Sequence, residues 1–166
     1  MDYNYYNRKI NDVIMKCPIE AGVEILVYNL LDSVINPGYF SLIDINRLRK
    51  ERDERLDTDS GIPDMAILSN DFEYQSDKGK VYGFVEVKAT NNPCNETEQI
   101  TGQKEKAKHY LYTNGLVWQY YLDGNKQWEV LLDSEKRKTI VSRKEVVIEE
   151  TQFNTLVEKL VEIQWK

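Results

Sequence analysis

The sequence predicts an α/β protein in which helices and strands alternate along the chain, and three observations carry that expectation. Ile19, Val23, Leu26, Val27, Leu30, Leu31 and Val34 recur at three- and four-residue steps, the period of a helix with one apolar face. Two apolar runs, Met65 to Leu68 and Val81 to Ala89, flank a polar stretch containing Asp77-Lys-Gly79, as two strands with a hairpin connection would. Further on, Asn114-Gly115 separates two apolar runs as a tight hairpin turn.

Taken in order, the Tyr3, Tyr5 and Tyr6 cluster reads as a tail packed on the domain. A helix follows from about Cys17 to Ile35, stopped by Asn36-Pro-Gly38. Segment 39–60 leaves two alternatives open: a strand from Tyr39 to Ile45, or a charged helix from Leu42 to Leu56 running into the Asp57-Thr-Asp-Ser-Gly61 loop. After the two strands and a loop at Asn91-Asn-Pro-Cys-Asn95, Glu96 to Lys106 reads as a helix despite Gly102, then His109 to Tyr112 as a strand. The hairpin turn leads into Leu116 to Leu122, Asp123-Gly-Asn125 turns into Trp128 to Leu132, and a strand pair is expected over Lys136 to Ile148. Thr151 to Trp165 closes the chain as a helix with Phe153, Leu156, Val157, Leu160 and Val161 inward.

Length and composition set bounds. A chain of 166 residues suits one domain spanning 1–166, and 41% hydrophobic residues supply a core. No apolar stretch reaches the ~20 residues a membrane helix needs, and Met-Asp-Tyr-Asn-Tyr-Tyr-Asn lacks the basic and apolar regions of a signal peptide, so a cytoplasmic protein without a membrane partner is expected. Cys17 and Cys94 stand apart without CxxC spacing, which argues against a disulfide framework and a thiolate zinc site. A net charge of −6 argues against holding nucleic acid by bulk electrostatics. Basic residues nonetheless cluster at Arg47 to Arg55, at Lys104, Lys106 and Lys108, and at Lys136-Arg-Lys138, each group short or interleaved with acids.

The most constraining feature is Glu86-x-Lys88 at the end of the run Val81-Tyr-Gly-Phe-Val-Glu-Val-Lys-Ala89. Strand side chains change face at every residue, so Glu86 and Lys88 are expected on one side of the sheet with Tyr82 and Phe84. Two charges at the end of a mostly buried strand cost free energy unless they pair, reach water or bind an ion. Asp64, in Ile62-Pro-Asp64, stands 22 residues earlier at the head of the preceding strand, so the hairpin brings Asp64 and Glu86 side by side at one end of the sheet.

With the glutamine-bearing helix Glu98-Gln99-Ile-Thr-Gly-Gln103, the opening helix Glu20-Ala-Gly-Val-Glu24 and the segment Tyr112-Thr-Asn-Gly-Leu-Val-Trp-Gln-Tyr120, all in this order, the chain resembles the PD-(D/E)XK nuclease superfamily. Within it the chain looks most like the N-terminal nuclease domain of type I restriction enzyme motor subunits. The resemblance covers residues 20 to about 121 and implies a restriction-endonuclease-like αβββαβ core with a mixed central sheet flanked by helices, extended by C-terminal strands and a helix. It also implies a bare nuclease fold without the helicase motor.

What the resemblance implies chemically is a metal-dependent deoxyribonuclease. Mg²⁺, with Mn²⁺ as a substitute, takes hard oxygen ligands and keeps several waters, and Asp64, Glu86 and the backbone carbonyl of Val87 would supply them. Lys88 would position or deprotonate the attacking water and stabilise transition-state charge. Glu20 and Glu24 lie four residues apart on one helix face; the Glu-Ala-x-x-Glu pattern favours Glu20 as the supporting acid, with Glu24 the alternative. Gln103, or Gln99 in its place, would touch the site or the DNA backbone. The tyrosine often found a few residues later in similar nucleases is replaced here by Lys106-Ala107. DNA is the expected partner, a homodimer is one arrangement that would cut both strands, and no phosphate-binding Gly-rich loop suggests a nucleotide cofactor. The alternative from another class is a degenerate nuclease fold that only binds nucleic acid or a partner protein. His109, the single histidine, is expected to be structural, as are Trp118, Tyr120 and Tyr121 on their strand.

Overall fold

The computed structural model describes residues 1–48, 53–141 and 143–166. Ten elements follow one another: α1 (Tyr3–Lys16), α2 (Glu20–Val34), β1 (Phe40–Asp44), β2 (Met65–Ser69), β3 (Val81–Val87), α3 (Glu98–Lys106), β4 (His109–Thr113), β5 (Val117–Leu122), β6 (Asn125–Leu131) and α4 (Glu150–Glu162). The strands form one six-stranded sheet in sequence order, antiparallel throughout except for the parallel pair β3–β4 that α3 connects. This is a mixed α/β architecture compatible with a restriction-endonuclease-like fold. It reads α2-β1-β2-β3-α3-β4 through the core, with β5, β6 and α4 added after it.

Period-two alternation divides the core between the two faces of the sheet. Met65, Ile67, Val85, Val87 and Leu111 meet α1, α2 and α4, while Ala66, Leu68, Phe84, Tyr110 and Tyr112 meet α3 through Ile100 and Ala107. On α2, Val23, Leu26, Val27, Leu30 and Leu31 are all buried, each contributing about 1.5–3 kcal/mol of transfer free energy. Among the described residues no helix is long and apolar enough to cross a membrane.

The N-terminal segment is a 14-residue helix and not the expected tail. Asp2 caps it by accepting the Tyr5 amide at 2.8 Å, Tyr6, Ile10 and Ile14 form its buried stripe, and Pro18 separates it from α2. The expected strand pair over Lys136 to Ile148 is likewise corrected: among the described residues there, only an isolated bridge between Asp133 and Ile148 is strand-like. Helix α1 takes over the role of a strand partner. The Asn11 side chain donates to the Val146 carbonyl at 2.9 Å and accepts the Val146 amide at 2.8 Å, and Asn7 accepts the Ile148 amide at 3.0 Å.

The ambiguous segment 39–60 opens as strand β1; the alternative helix and the basic run from Arg47 to Arg55 fall partly on residues 49–52, outside the described residues. A further correction concerns Tyr82. Ile67 pairs with Gly83 but Leu68 with Val81, so β3 carries one extra residue and its alternation breaks. Tyr82 therefore packs edge-on against Phe40, 5.4 Å between ring centres, with the α1/α2/α4 cluster, while Phe84 stays on the α3 side.

Candidate metal centre

Asp64 precedes β2 by one residue, and its backbone carbonyl accepts the amides of Ile45 at 2.8 Å and Asn46 at 3.1 Å, which pins the end of β1 to the head of β2. Met65 pairs with Val85 on β3, so Asp64 continues that register beside Glu86. Its carboxylate accepts the Val87 amide at 2.6 Å. Alternation puts both acids on the α3 face of the sheet, with Ala66 and Phe84. Both are nearly closed off from solvent, Asp64 at 8% exposure and Glu86 at 2%.

Lys88 turns back onto Glu86, its ammonium 2.5 Å from Oε1, and the Gln99 amide donates to the same oxygen at 3.1 Å. Glu86 Oε2 is buried with no hydrogen-bond partner among the described residues, and so is Nε2 of Gln103. Gln103 is itself fully buried; its Oε1 accepts the Tyr110 hydroxyl at 2.6 Å, and its amide, near Glu86 but outside hydrogen-bond geometry, draws the Glu86 pKa down. Glu20, the first residue of α2, arrives from the other helical layer and accepts the Ala89 amide at 3.3 Å just past Lys88. Glu24, one turn on, is held by the Asn46 side chain at 3.0 Å.

The electrostatics follow from crowding acids in a poorly solvated place. Burial first, and then the charge of Glu86, push Asp64 up to about 8, opposed by the Val87 amide. Burial also raises Glu86, even though Lys88 and Gln103 pull the other way. Glu24 is raised by burial and by Glu20 and Asp44. For Lys88, burial disfavours the charge, but Glu86 outweighs it and the ammonium is held above its ordinary pKa. An ion pair in water would lower its acid and raise its base together; here burial reverses the sign for the acid alone.

This donor set fits a hard divalent cation. Glu86 Oε2 is an orphaned buried oxygen, burial holds the Asp64 pKa up at about 8, and both are oxygen ligands of the type Mg²⁺ prefers. Among the described residues no group of three acidic, histidine or cysteine side chains is placed to hold a metal ion together.

Around the acids, loop and helix are held together by a close approach at Gly102. A Cβ on Gly102 would overlap the Ser60 side chain, so the glycine lets α3 pack on the turn that precedes Ile62-Pro-Asp64. Lys106 adds hydrogen bonds to the carbonyls of Glu54 and Asp57. Two contributors escaped the sequence reading. Tyr110 holds Gln103 from β4, its hydroxyl donating to Gln103 Oε1. Asn114 is fully buried and ties the loop after Lys88 to the C-terminal segment by donating to the carbonyls of Asn92 and Lys138 at 2.8 and 2.9 Å. An asparagine before a hairpin glycine was visible; that its side chain faces inward was not.

His109 lies apart from the acids, at the opposite end of β4 from the Glu86–Tyr112 pair, its Nδ1 2.7 Å from the Tyr120 hydroxyl and its ring 5.3 Å from that of Trp165. A cleft of about 720 Å³ also lies elsewhere, along β1 and residues 68–74 among Ile43, Leu48, Leu56 and Phe72.

No family model matches the chain, and a search of curated proteins returns no significant match. Among solved structures, a chain of the DrdV–DNA complex determined by cryo-electron microscopy is similar, with a TM-score of 0.58 and 12% sequence identity over 96% of this chain and 95% of that one. At that identity the likeness is one of fold.

Proposed function

We propose that this chain is a Mg²⁺-dependent nuclease that hydrolyses phosphodiester bonds in DNA, working as one domain over residues 1–166. The carrying observation is the pair Asp64 and Glu86, buried side by side at the strand ends with Oε2 of Glu86 unpartnered among the described residues. DNA as the partner is supported by the shared fold with a chain of the DrdV–DNA complex. Asp64, Glu86 and the Val87 carbonyl would hold the ion, with Glu20 supporting from α2. When bound, the ion supplies Lewis acidity and a more acidic water.

The protein's own residues divide the remaining work. Lys88 enters as an ammonium because Glu86 keeps it protonated, so it positions the attacking water and neutralises developing phosphoryl charge in preference to acting as a base. Gln99 orients Glu86 through the 3.1 Å hydrogen bond, and Gln103, locked by Tyr110, presents its amide toward the same carboxylate. Glu20 fixes the turn after Lys88 through the Ala89 amide, which sets the direction of the lysine side chain.

A second reading draws on one observation: Lys88 already occupies Glu86 Oε1, so a cationic partner is present without a metal. A chain that kept this closed pair would be a nuclease fold that binds DNA or a protein without cutting. Incubating linear and supercoiled plasmid with Mg²⁺, Mn²⁺ or EDTA, beside Glu86→Ala, separates the two. Metal-dependent cutting that the variant loses supports the nuclease; binding without cutting in either metal selects the second reading.

A further inference from the structure

At the end of the sheet remote from the acids, a cleft of about 410 Å³ opens between the start of β4 and the C-terminal end of α4. It lies about 10 Å along β4 from the Glu86–Tyr112 pair and on the opposite face, the one that Tyr120 and Trp128 share with α4. Lys108, Lys159 and Lys166 line it, with Glu162 the single acid in its wall. Elsewhere Lys104, Lys126, Lys136 and Lys138 each sit against a carboxylate. The three lysines of the cleft have no acid within ion-pair distance among the described residues; Lys159 lies 5.9 Å over the Trp128 ring and Lys166 4.6 Å over that of Tyr39. In a chain of net charge −6, three unpaired ammoniums gathered at one cleft repel one another and attract an anion.

The cleft also offers a hydrogen-bonding group and flat rings. His109 is 2% exposed; its Nδ1 lies 2.7 Å from the Tyr120 hydroxyl, and its Nε2 is buried with no partner among the described residues. When that hydroxyl donates to Nδ1, Nε2 carries the ring proton and lacks only an acceptor. Half-buried Trp128, its ring 5.4 Å from that of Tyr120, presents an apolar surface beside it. Planar bases pack on such rings while lysines hold the phosphate. We propose that this cleft is a nucleotide site: a 5′-phosphate seated among Lys108, Lys159 and Lys166 with an oxygen toward His109, and the base against Trp128. A site made of ammoniums and rings needs no Gly-rich loop, so no sequence motif announces it. Remote from Asp64 and Glu86 and needing no metal, it stands independently of the nuclease reading.

Because His109 is the single histidine, its ring C2–H proton resonance reports on the cleft unambiguously. The test titrates the full chain in EDTA with deoxyadenosine 5′-monophosphate, deoxyadenosine and inorganic phosphate while that resonance is followed. The monophosphate should move it with a midpoint of roughly 0.1–1 mM in ~50 mM salt, weakening about threefold or more at ~200 mM, with phosphate about tenfold weaker and the nucleoside without effect. Lys108→Ala combined with Lys159→Ala should weaken binding about tenfold or more with unchanged circular dichroism, whereas Lys144→Ala, at an exposed lysine off the cleft, and Glu86→Ala should bind like the wild type. A 5′-phosphorylated oligodeoxyadenylate that displaces the monophosphate identifies a DNA strand end as the source of the nucleotide; one that does not identifies the free nucleotide. A His109 resonance that stays still up to about 10 mM monophosphate, a monophosphate bound no tighter than phosphate, binding unchanged in the double lysine variant, or binding lost in Glu86→Ala overturns the proposal.

Discussion

Asp64 and Val87 are joined across the β2–β3 pair by a 2.6 Å hydrogen bond from the Val87 amide to the Asp64 carboxylate. One bond thus aligns the heads of two motifs that lie 23 residues apart, and it sets the Asp64 side chain beside Glu86. Asparagine at position 64 keeps an acceptor for that amide while removing a charge from a buried acidic pair. Asp64→Asn is therefore expected to melt several degrees higher than the wild type in EDTA at about pH 9, a gain of about 1–2 kcal/mol, while cleavage in Mg²⁺ falls by about a thousandfold or more. Paired melting and plasmid assays check both halves; a variant as active as the wild type would remove Asp64 from the site.

The raised pKa of Asp64 has a definite sign. Its folded value of about 8 lies above the unfolded value of ~4, so its contribution to stability is complete below ~4 and is lost as pH rises through about 8. Metal-free protein should accordingly lose stability between about pH 5 and 9. Mg²⁺ must displace the Asp64 proton, so the Mg²⁺-induced rise in Tm should be small near pH 6 and grow toward about pH 8.5. Melts in EDTA and in Mg²⁺ across this range measure it directly. An increment independent of pH would show that the ion does not bind at Asp64.

Gln99 and Gln103 are separable by experiment because only one is fully buried. Gln103→Ala leaves the Tyr110 hydroxyl without its acceptor in the core and should cost about 1–3 kcal/mol of stability. Gln99→Ala removes a donor to Glu86 and should leave melting within about 0.5 kcal/mol of wild type. Its effect should appear instead as weaker Mg²⁺ activation, read from cleavage rates over a metal titration.

Asn11 substitutes for a strand partner at Val146, and its removal tests that role. Asn11→Ala strands both the amide and the carbonyl of Val146 and should destabilise by about 1–3 kcal/mol. Asp12→Ala on the adjacent, solvated side, whose partners are Lys9 and Lys16, should leave the denaturation midpoint essentially unchanged. Chemical denaturation of the two variants makes the comparison.

Where a segment's own pattern decided its state, the sequence was legible. Helix α2 declared itself by its apolar period and the stop at Asn36-Pro-Gly38, and the β4–β5 hairpin by Asn114-Gly115, whose glycine adopts φ +82°; α3 was legible over Glu96 to Lys106, while its start at Glu98 is set by the Thr97 cap. Helix α1 was obscured because its aromatic and asparagine-rich sequence has weak helix propensity; packing of Tyr6, Ile10 and Ile14 supplies what propensity lacks. Val146 and Ile148 alternate as a strand would, yet side chains of α1 satisfy their backbone, which no local pattern encodes. The face of Tyr82 was misjudged for a related reason: a one-residue bulge is a matter of pairing with β2, invisible within β3 itself.

For the acidic centre the same division holds. The residue types at 64, 86 and 88, their order and the strands beneath them are written in the chain, because alternation and a hairpin suffice to bring two strand ends together. Tertiary structure alone decided which groups complete the environment: Glu20 reaching Ala89 from the opposite layer, Gln99 on Glu86, Tyr110 on Gln103, and Lys88 folded back onto its neighbour. These are contacts between segments up to 69 residues apart, and their energies depend on how far burial strips water from each charge. Desolvation belongs to the assembled protein, and so does the raised pKa of Asp64 that follows from it.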